Sequence, residues 1–246
     1  MGKYYVYQKK GILESKIEME DRALAGKNIL AGGYHCADLA EELVLGVFDG
    51  VGGLKGSAKA SAFAANKMSE LTRPVDVGAV FDCLKEIHTE LVNNTTTATT
   101  GSGIIRADRD NTILFHIGNT RICALQNGYL VPMTEDMTNY ETMLRAGFTE
   151  NSLDASLKGV LTACLGVKEE FLNALILNDF GGELERSEKL LITSDGIHDF
   201  VSEDDLERFL RGEITEESMK EVVNKALSAG SKDDLSILVV DLREKN

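Results

Sequence analysis

Twice in this chain of 246 residues an apolar, strand-like run drives straight into Asp-Gly. "VLGVF" leads into Asp49 and Gly50, and "LLITS" leads into Asp195 and Gly196. Two further acidic pairs sit at the ends of predicted strands: Glu20 and Asp21 in "KIEMEDR", and Asp233 and Asp234 in "SKDDLS". Asp199 follows in "SDGIHD". Carboxylates brought within a few ångströms of one another repel, and burying an uncompensated ion is costly, so such a gathering needs protons or cations. Hard divalent ions such as Mg²⁺ or Mn²⁺ take oxygen ligands of this kind. A glycine after each aspartate lets a ligand approach the backbone and reach its carbonyl. A single Asp-Gly is ordinary turn chemistry. Two of them after long apolar runs, with two more acidic strand ends, favour a shared site.

Other chemistries fail on residue type. The contexts of Cys36, Cys83, Cys123 and Cys164 contain no phosphate loop ending in Arg, and no C-x-x-C spacing that would suggest zinc or redox chemistry. "GVGGLKGS" lacks the Gly-Lys-Ser order of a P-loop, because Lys55 precedes Gly56. An Asp-x-Asp-Gly nucleophile pattern would need Asp at position 47, which is Val47. His35, His88, His116 and His198 are scattered, with no His-x-x-x-His pair for a metallopeptidase.

The elements that must position the acidic residues can be read from periodicity. "KYYVYQKKG" is a first strand and Leu43–Phe48 a buried one; after the glycines come two helices, "SAKASAFAANKMSELTR" and "VDVGAVFDCLKEIHTELVNN", the second with Val80, Leu84, Ile87 and Leu91 on one face. Four short β-branched runs between 95 and 134 then read as an antiparallel meander, with turns at "DRDN", "GNT" and Asn127-Gly128. Residues 138–165 are ambiguous, with helical character near "NYETMLRAG". Strand-like "ALILNDF" and "KLLITSD" follow, then a helix opening at Ser202 with Asp205 in capping-box spacing. The helix "TEESMKEVVNKALSAG" carries a stripe of Met219, Val222, Val223, Ala226 and Leu227, and "LSILVVDL" is a last strand. Helices in pairs between β-rich blocks, without βαβ alternation, predict an α+β fold of packed sheets with helices outside.

With no linker-like break in composition, residues 1–246 are expected to form a single domain. A net charge of −14 argues against nucleic acid or an anionic membrane as partner. The absence of a long apolar run or signal-like N-terminus, with unpaired cysteines, predicts a cytoplasmic protein.

Taken in order, the motifs resemble those of the protein phosphatase 2C (PPM) family of metal-dependent serine/threonine phosphatases, of bacterial type, over nearly the whole chain. "EMED" with Arg22 is similar to the first acidic motif, "VFDGVGG" to D-G-x-G-G, "TTTATTGSGII" to the Thr-rich strand and "HIGNTRICAL" to the G-D-S-R hairpin. "MTEDMT", "LTACLG", "LLITSDGIHDFVSEDDL" and "SKDDLSILVV" are similar to the motifs that follow. The resemblance implies a four-layer αββα fold, an antiparallel β-sandwich flanked by pairs of helices. It implies two Mn²⁺ or Mg²⁺ ions, bridged by Asp49, with the Gly50 carbonyl on one and Asp195 and Asp233 on the other. Glu20 and Asp21 would bind directly or through waters, and Lys16 stands where the family's phosphate-gripping Arg lies. The implied reaction is hydrolysis of phosphoserine and phosphothreonine in proteins by a water bridging the two ions. Phosphoproteins would be substrates, a eukaryotic-like Ser/Thr kinase a counterpart, and the chain a monomer.

Three departures matter. Val51 cannot donate a proton where many relatives have His. Lys16 lacks the two-pronged guanidinium. Asn119 replaces the Asp that, with the partner at Asp199, ties a third ion in some relatives, so that third ion is expected to be weak or absent. These departures leave open an alternative, a catalytically quiet phosphatase-fold module that binds a phosphoprotein or regulator. His198 is expected at the surface, Arg121 as a structural clamp, and Asp108, Asp110, Asp204 and Asp205 as turn or helix-start residues.

Overall fold

The computed structural model describes residues 2–13, 16–40, 43–52, 56–71, 75–94, 97–107 and 111–243. Five strands come first: β1 (Lys3–Lys9), β2 (Arg22–Ala25), β3 (Asn28–Leu30), β4 (Gly33–Asp38) and β5 (Leu43–Phe48). Helices α1 (Ser57–Ser69) and α2 (Val77–Asn94) follow. Next come β6 (Gly101–Arg106), β7 (Thr112–Ile117), β8 (Arg121–Gln126), β9 (Tyr129–Pro132), α3 (Asn139–Arg145), β10 (Ile176–Asp179), α4 (Gly181–Arg186) and β11 (Lys189–Thr193). The chain continues through α5 (Asp195–His198), α6 (Glu203–Arg211), α7 (Glu216–Ser228) and β12 (Leu235–Asp241). The turn expected at Asp108 and Asp110 lies outside the described residues.

The strands form two six-stranded sheets, ordered β4-β1-β12-β11-β8-β9 and β10-β7-β6-β5-β2-β3. Period-2 alternation assigns each side chain to a layer. On β12, Leu238 and Val240 enter the core between the sheets, while Leu235, Ile237 and Val239 pack with Met219, Val222, Val223 and Ala226 of α7. On β5, Leu45 and Val47 face the other sheet, while Phe48 packs with Ala60 and Ala64 of α1 and Val80, Leu84, Ile87 and Leu91 of α2. The apolar stripes read from the two long helices are thus the faces buried on the sheets. The result is the αββα layering that the family resemblance implies, and burial of strands on both faces explains why β5, β11 and β12 read as continuous apolar runs.

One expectation needs correction. The four strands read as one meander are two hairpins in different sheets: β6 pairs with β7 and β8 with β9, while β8 also pairs with β11. The chain crosses between sheets at Gly118–Thr120. Gly118 has φ of +106°, and a Cβ there would sit 2.6 Å from Thr100 side-chain atoms, so this crossing needs glycine. All six residues of β7 are buried, which hides from the sequence which sheet it joins.

Candidate metal centre

Register brings the acidic strand ends together. Arg22 pairs with Phe48 and Thr193 with Ile237, so Asp21 lies beside the end of β5 and the Asp233-Asp234 segment beside the end of β11. Arg121 pairs with Thr193, which sets the Gly118–Thr120 crossing at the same end of the sandwich.

Asp49 is pinned through its backbone. Its carbonyl accepts from the Thr100 N–H (2.8 Å) and the Thr99 hydroxyl (2.9 Å), and its N–H donates to Thr100 Oγ1 (3.1 Å). Gly50 packs against the start of α1: an added Cβ would fall 2.6 Å from the Ser57 carbonyl oxygen and 2.9 Å from that of Glu20. Glycine is therefore required where the chain turns out of the strand. Asp195 opens α5, and its Oδ2 accepts from Asn119 Nδ2 at 2.8 Å. Asp21 is fully buried and its Oδ2 accepts from Ser236 Oγ at 2.7 Å. Asp21 Oδ1 and Asp195 Oδ1 are buried with no hydrogen-bond partner among the described residues.

Burial raises the pKa of Asp49 well above the usual carboxylate range, and Asp21, Asp195 and Asp233 push it further. Asp21 is pushed up to about 7 by burial and then by Asp234. Asp195 is likewise pushed up to about 7 by burial and then by Asp233 and Asp199. Carboxylates raised in this way by one another form a site that wants positive charge. An all-oxygen donor set with two orphaned buried oxygens fits a hard divalent cation.

Lys16 supplies a positive charge of its own. Its Nζ is bonded to Asp233 Oδ1, lies 2.9 Å from Glu20 Oε2 and 3.5 Å from Asp234 Oδ2, and its side chain is only 8% exposed. Among the described residues no three His, Cys, Asp or Glu side chains are closed up in metal-holding geometry. Asp233, 41% exposed at its side chain, also accepts from the Asp234 N–H at 2.7 Å.

Asp234, a member of the Asp233-Asp234 acidic pair but not among the expected ligands, organises the region. Its Oδ1 accepts from the Gly11 N–H (2.7 Å) and its Oδ2 from the Glu20 N–H (2.5 Å), tying the segment after β1 to the start of β12. Its neighbour's identity, Asp233 preceding a strand, was the available signal. Asp199 stands at the C-terminal end of α5 with Oδ1 3.4 Å from Lys158 Nζ. Arg121 does clamp loops, through paired 2.8 Å bonds to Asp136. His198 is a correction: it is buried, with Nδ1 2.9 Å from Thr193 Oγ1 and Nε2 4.0 Å from Asp136 Oδ2. The four-residue helix α5 turns it inward, where a turn after Asp-Gly would have left it outside. Asp205 accepts from Ser202 Oγ as part of the cap of α6.

No protein-family model matches the chain. The Serine/threonine phosphatase stp of Listeria monocytogenes serotype 4b (strain F2365) is 30% identical over 138 residues, 54% of this chain and 53% of that protein. The chain thus spans about half the length of the curated relatives it matches. In fold, the serine/threonine phosphatase Stp1 from Staphylococcus aureus superposes with a TM-score of 0.79 at 18% identity, over 99% of this chain and 96% of that one. The catalytic domain of serine threonine protein phosphatase PstP, solved in complex with 2 manganese ions, matches with a TM-score of 0.69 at 19% identity, over 98% of both chains. The chain has the αββα fold of the bacterial PPM serine/threonine phosphatases, and its sequence resembles that protein phosphatase 2C family.

Proposed function

We propose that this chain hydrolyses phosphoserine and phosphothreonine esters of proteins with two Mn²⁺ or Mg²⁺ ions held by its acidic cluster. The observation that carries the reading is the convergence of Asp21, Asp49, Asp195 and Asp233 at one end of the sandwich, where Asp21, Asp195 and Asp233 raise the pKa of Asp49, and Asp21 and Asp233 that of Asp195. The resemblance to the Listeria phosphatase, and a shared fold with a phosphatase domain solved with two manganese ions, support it.

Two ions held there would supply a polarised water as nucleophile and offset the charge developing on the phosphoryl oxygens. The chain's part is positioning. Asp49, held by Thr99 and Thr100, would hold the ions together with the Gly50 carbonyl, Asp195 and Asp233, and Glu20 and Asp21 would contribute directly or through waters. Asn119 fixes the Asp195 carboxylate through Oδ2 and leaves Oδ1 for a cation. No side chain at Val51 can protonate the leaving alkoxide, and His198 is turned towards Thr193, so that proton comes from water or another group. With Asn119 engaged by Asp195 and Asp199 by Lys158, a third ion is weak or absent.

Phosphoproteins are the substrates in this reading, a eukaryotic-like Ser/Thr kinase their source, and the whole chain one catalytic domain acting as a monomer. Among the described residues no helix is long and apolar enough to cross a membrane, and all four cysteines are free thiols, which suits the cytoplasm. The test is turnover of p-nitrophenyl phosphate and a phosphothreonine peptide with Mn²⁺, with and without EDTA. Turnover abolished by EDTA and by Asp49→Asn is the expected result; turnover that survives both sinks the proposal.

A further inference from the structure

Gly11 and Ile12, which precede Lys16, are closely held. Gly11 donates to Asp234 Oδ1 (2.7 Å), Ile12 N donates to the Lys232 carbonyl (3.1 Å), and a Cβ on Gly11 would fall 2.4 Å from that same carbonyl oxygen. From there Lys16 turns its ammonium inward onto Asp233, Glu20 and Asp234, so three donors meet three carboxylates and almost none of the side chain remains exposed. A lysine at a phosphate-facing rim would keep its head in water. Burial works against the charge on Nζ, but Asp233, Glu20 and Asp234 outweigh it and hold its pKa above the ordinary lysine value.

Two of the carboxylates it holds, Glu20 and Asp233, belong to the set read above as ligating a divalent cation, while Asp234 is already committed to two backbone N–H groups. One ammonium cannot neutralise Asp233 and Glu20 and also face a phosphate. We infer that Lys16 is a tethered cation that occupies the Asp233–Glu20 side of the cluster and must leave before a divalent ion binds there, its departure freeing the ammonium for substrate phosphate. This rests on the reading of the cluster as a divalent-cation site. The consequence is linkage: the ion on the Asp233 side carries the cost of displacing Lys16, and its binding and that of phosphate favour each other.

The experiment is calorimetric titration of Mn²⁺ into the EDTA-stripped, dialysed full chain and its Lys16→Met variant. The expected result is two unequal affinities in the parent, with the weaker one tightened about tenfold or more in Lys16→Met, because the competent population is no longer reduced by the lysine. Unchanged or weakened Mn²⁺ binding in Lys16→Met overturns the inference while leaving the metal reading intact. No Mn²⁺ binding by the parent, with the same result for Asp49→Asn, overturns both. A second measurement uses the unmutated chain: acetylation of lysines by an N-hydroxysuccinimide ester, located by peptide mass spectrometry, in EDTA and in Mg²⁺. Lys16 slow in EDTA and fast in Mg²⁺ supports the displacement; Lys16 labelled equally in both overturns it.

Discussion

Asn119 Nδ2 donates to Asp195 Oδ2 at 2.8 Å and so joins the sheet crossing after β7 to the helix start after β11. An amide is the side chain of this size that can brace a buried carboxylate without adding charge. Asn119→Asp removes that donor and sets a like charge against Asp195. In EDTA it is expected to lower stability by about 1–3 kcal/mol, the cost of an unsatisfied buried acceptor plus repulsion. In Mn²⁺ the same variant is expected to recover that loss and to bind an additional ion, because it restores the Asp that the family resemblance pairs with Asp199 on a third ion. Paired thermal melts in EDTA and Mn²⁺, with ion counting by atomic emission, check both halves.

Asp49 is expected to separate stability from function. Its carboxylate is buried among Asp21, Asp195 and Asp233 and held well above its ordinary pKa by burial and by those neighbours. Asp49→Asn relieves that repulsion, so the metal-stripped variant melts higher than the parent. It also removes the proposed bridging ligand. Since loss of an outer-shell partner already costs about 10–100-fold at metal sites, turnover falls by about a hundredfold or more. Melting curves that move down in EDTA, or turnover retained within a few fold, contradict this.

How much of this was legible in the sequence follows from which interactions are local. Leu43–Phe48 was read with the same bounds as β5, because a strand buried on both faces declares itself by an unbroken apolar run. The stripe Val80, Leu84, Ile87 and Leu91 was legible because helical period fixes one face. The switch between β7 and β8 was not, since nothing local to "HIGNTRICAL" says which sheet each strand joins. β2, only Arg22–Ala25, is too short and Ala-rich to show a period. The acidic residues could be picked out by type, and register then explains how Asp21, Asp49, Asp195 and Asp233 meet. The inward turn of Lys16 and the two backbone N–H groups on Asp234 depend on partners more than 200 positions away, with |i−j| of 217, 223 and 214. No window of sequence contains that information.

The raised carboxylates fix the sign of the pH dependence. Asp21 and Asp195 titrate at about 7 when folded, raised mainly by burial and then by acidic neighbours, against about 3.9 when unfolded. Between those values the folded chain binds more protons than the unfolded chain, so stability falls as pH climbs from about 4 to about 7 and levels off above. In EDTA the protein is therefore expected to melt at higher temperature near pH 5.5 than near pH 7.5. Saturating Mn²⁺ reverses the order, because metal competes with protons for the same oxygens. Melting temperatures that rise with pH in EDTA contradict the assignment.

Gly196 tests whether the close approach between α5 and the start of β12 matters. A Cβ there would lie 2.0 Å from the Asp234 carbonyl oxygen and 3.5 Å from Asp233 Cβ, and a backbone oxygen cannot rotate out of the way. Gly196→Ala must push apart the two segments that carry Asp195 and Asp233. It is expected to cost about 1–3 kcal/mol, as overpacking does elsewhere, and to weaken Mn²⁺ binding by more than its effect on folding explains. Gly182→Ala is the matching control. Gly182 lies in α4 with nothing within 4 Å of an added Cβ, so alanine there should stabilise by up to about 1 kcal/mol through helix propensity and leave Mn²⁺ affinity unchanged. Chemical denaturation and calorimetry on the pair read out both effects. Equal Mn²⁺ affinities in the two variants would show that the spacing of Asp195 and Asp233 is not set by Gly196.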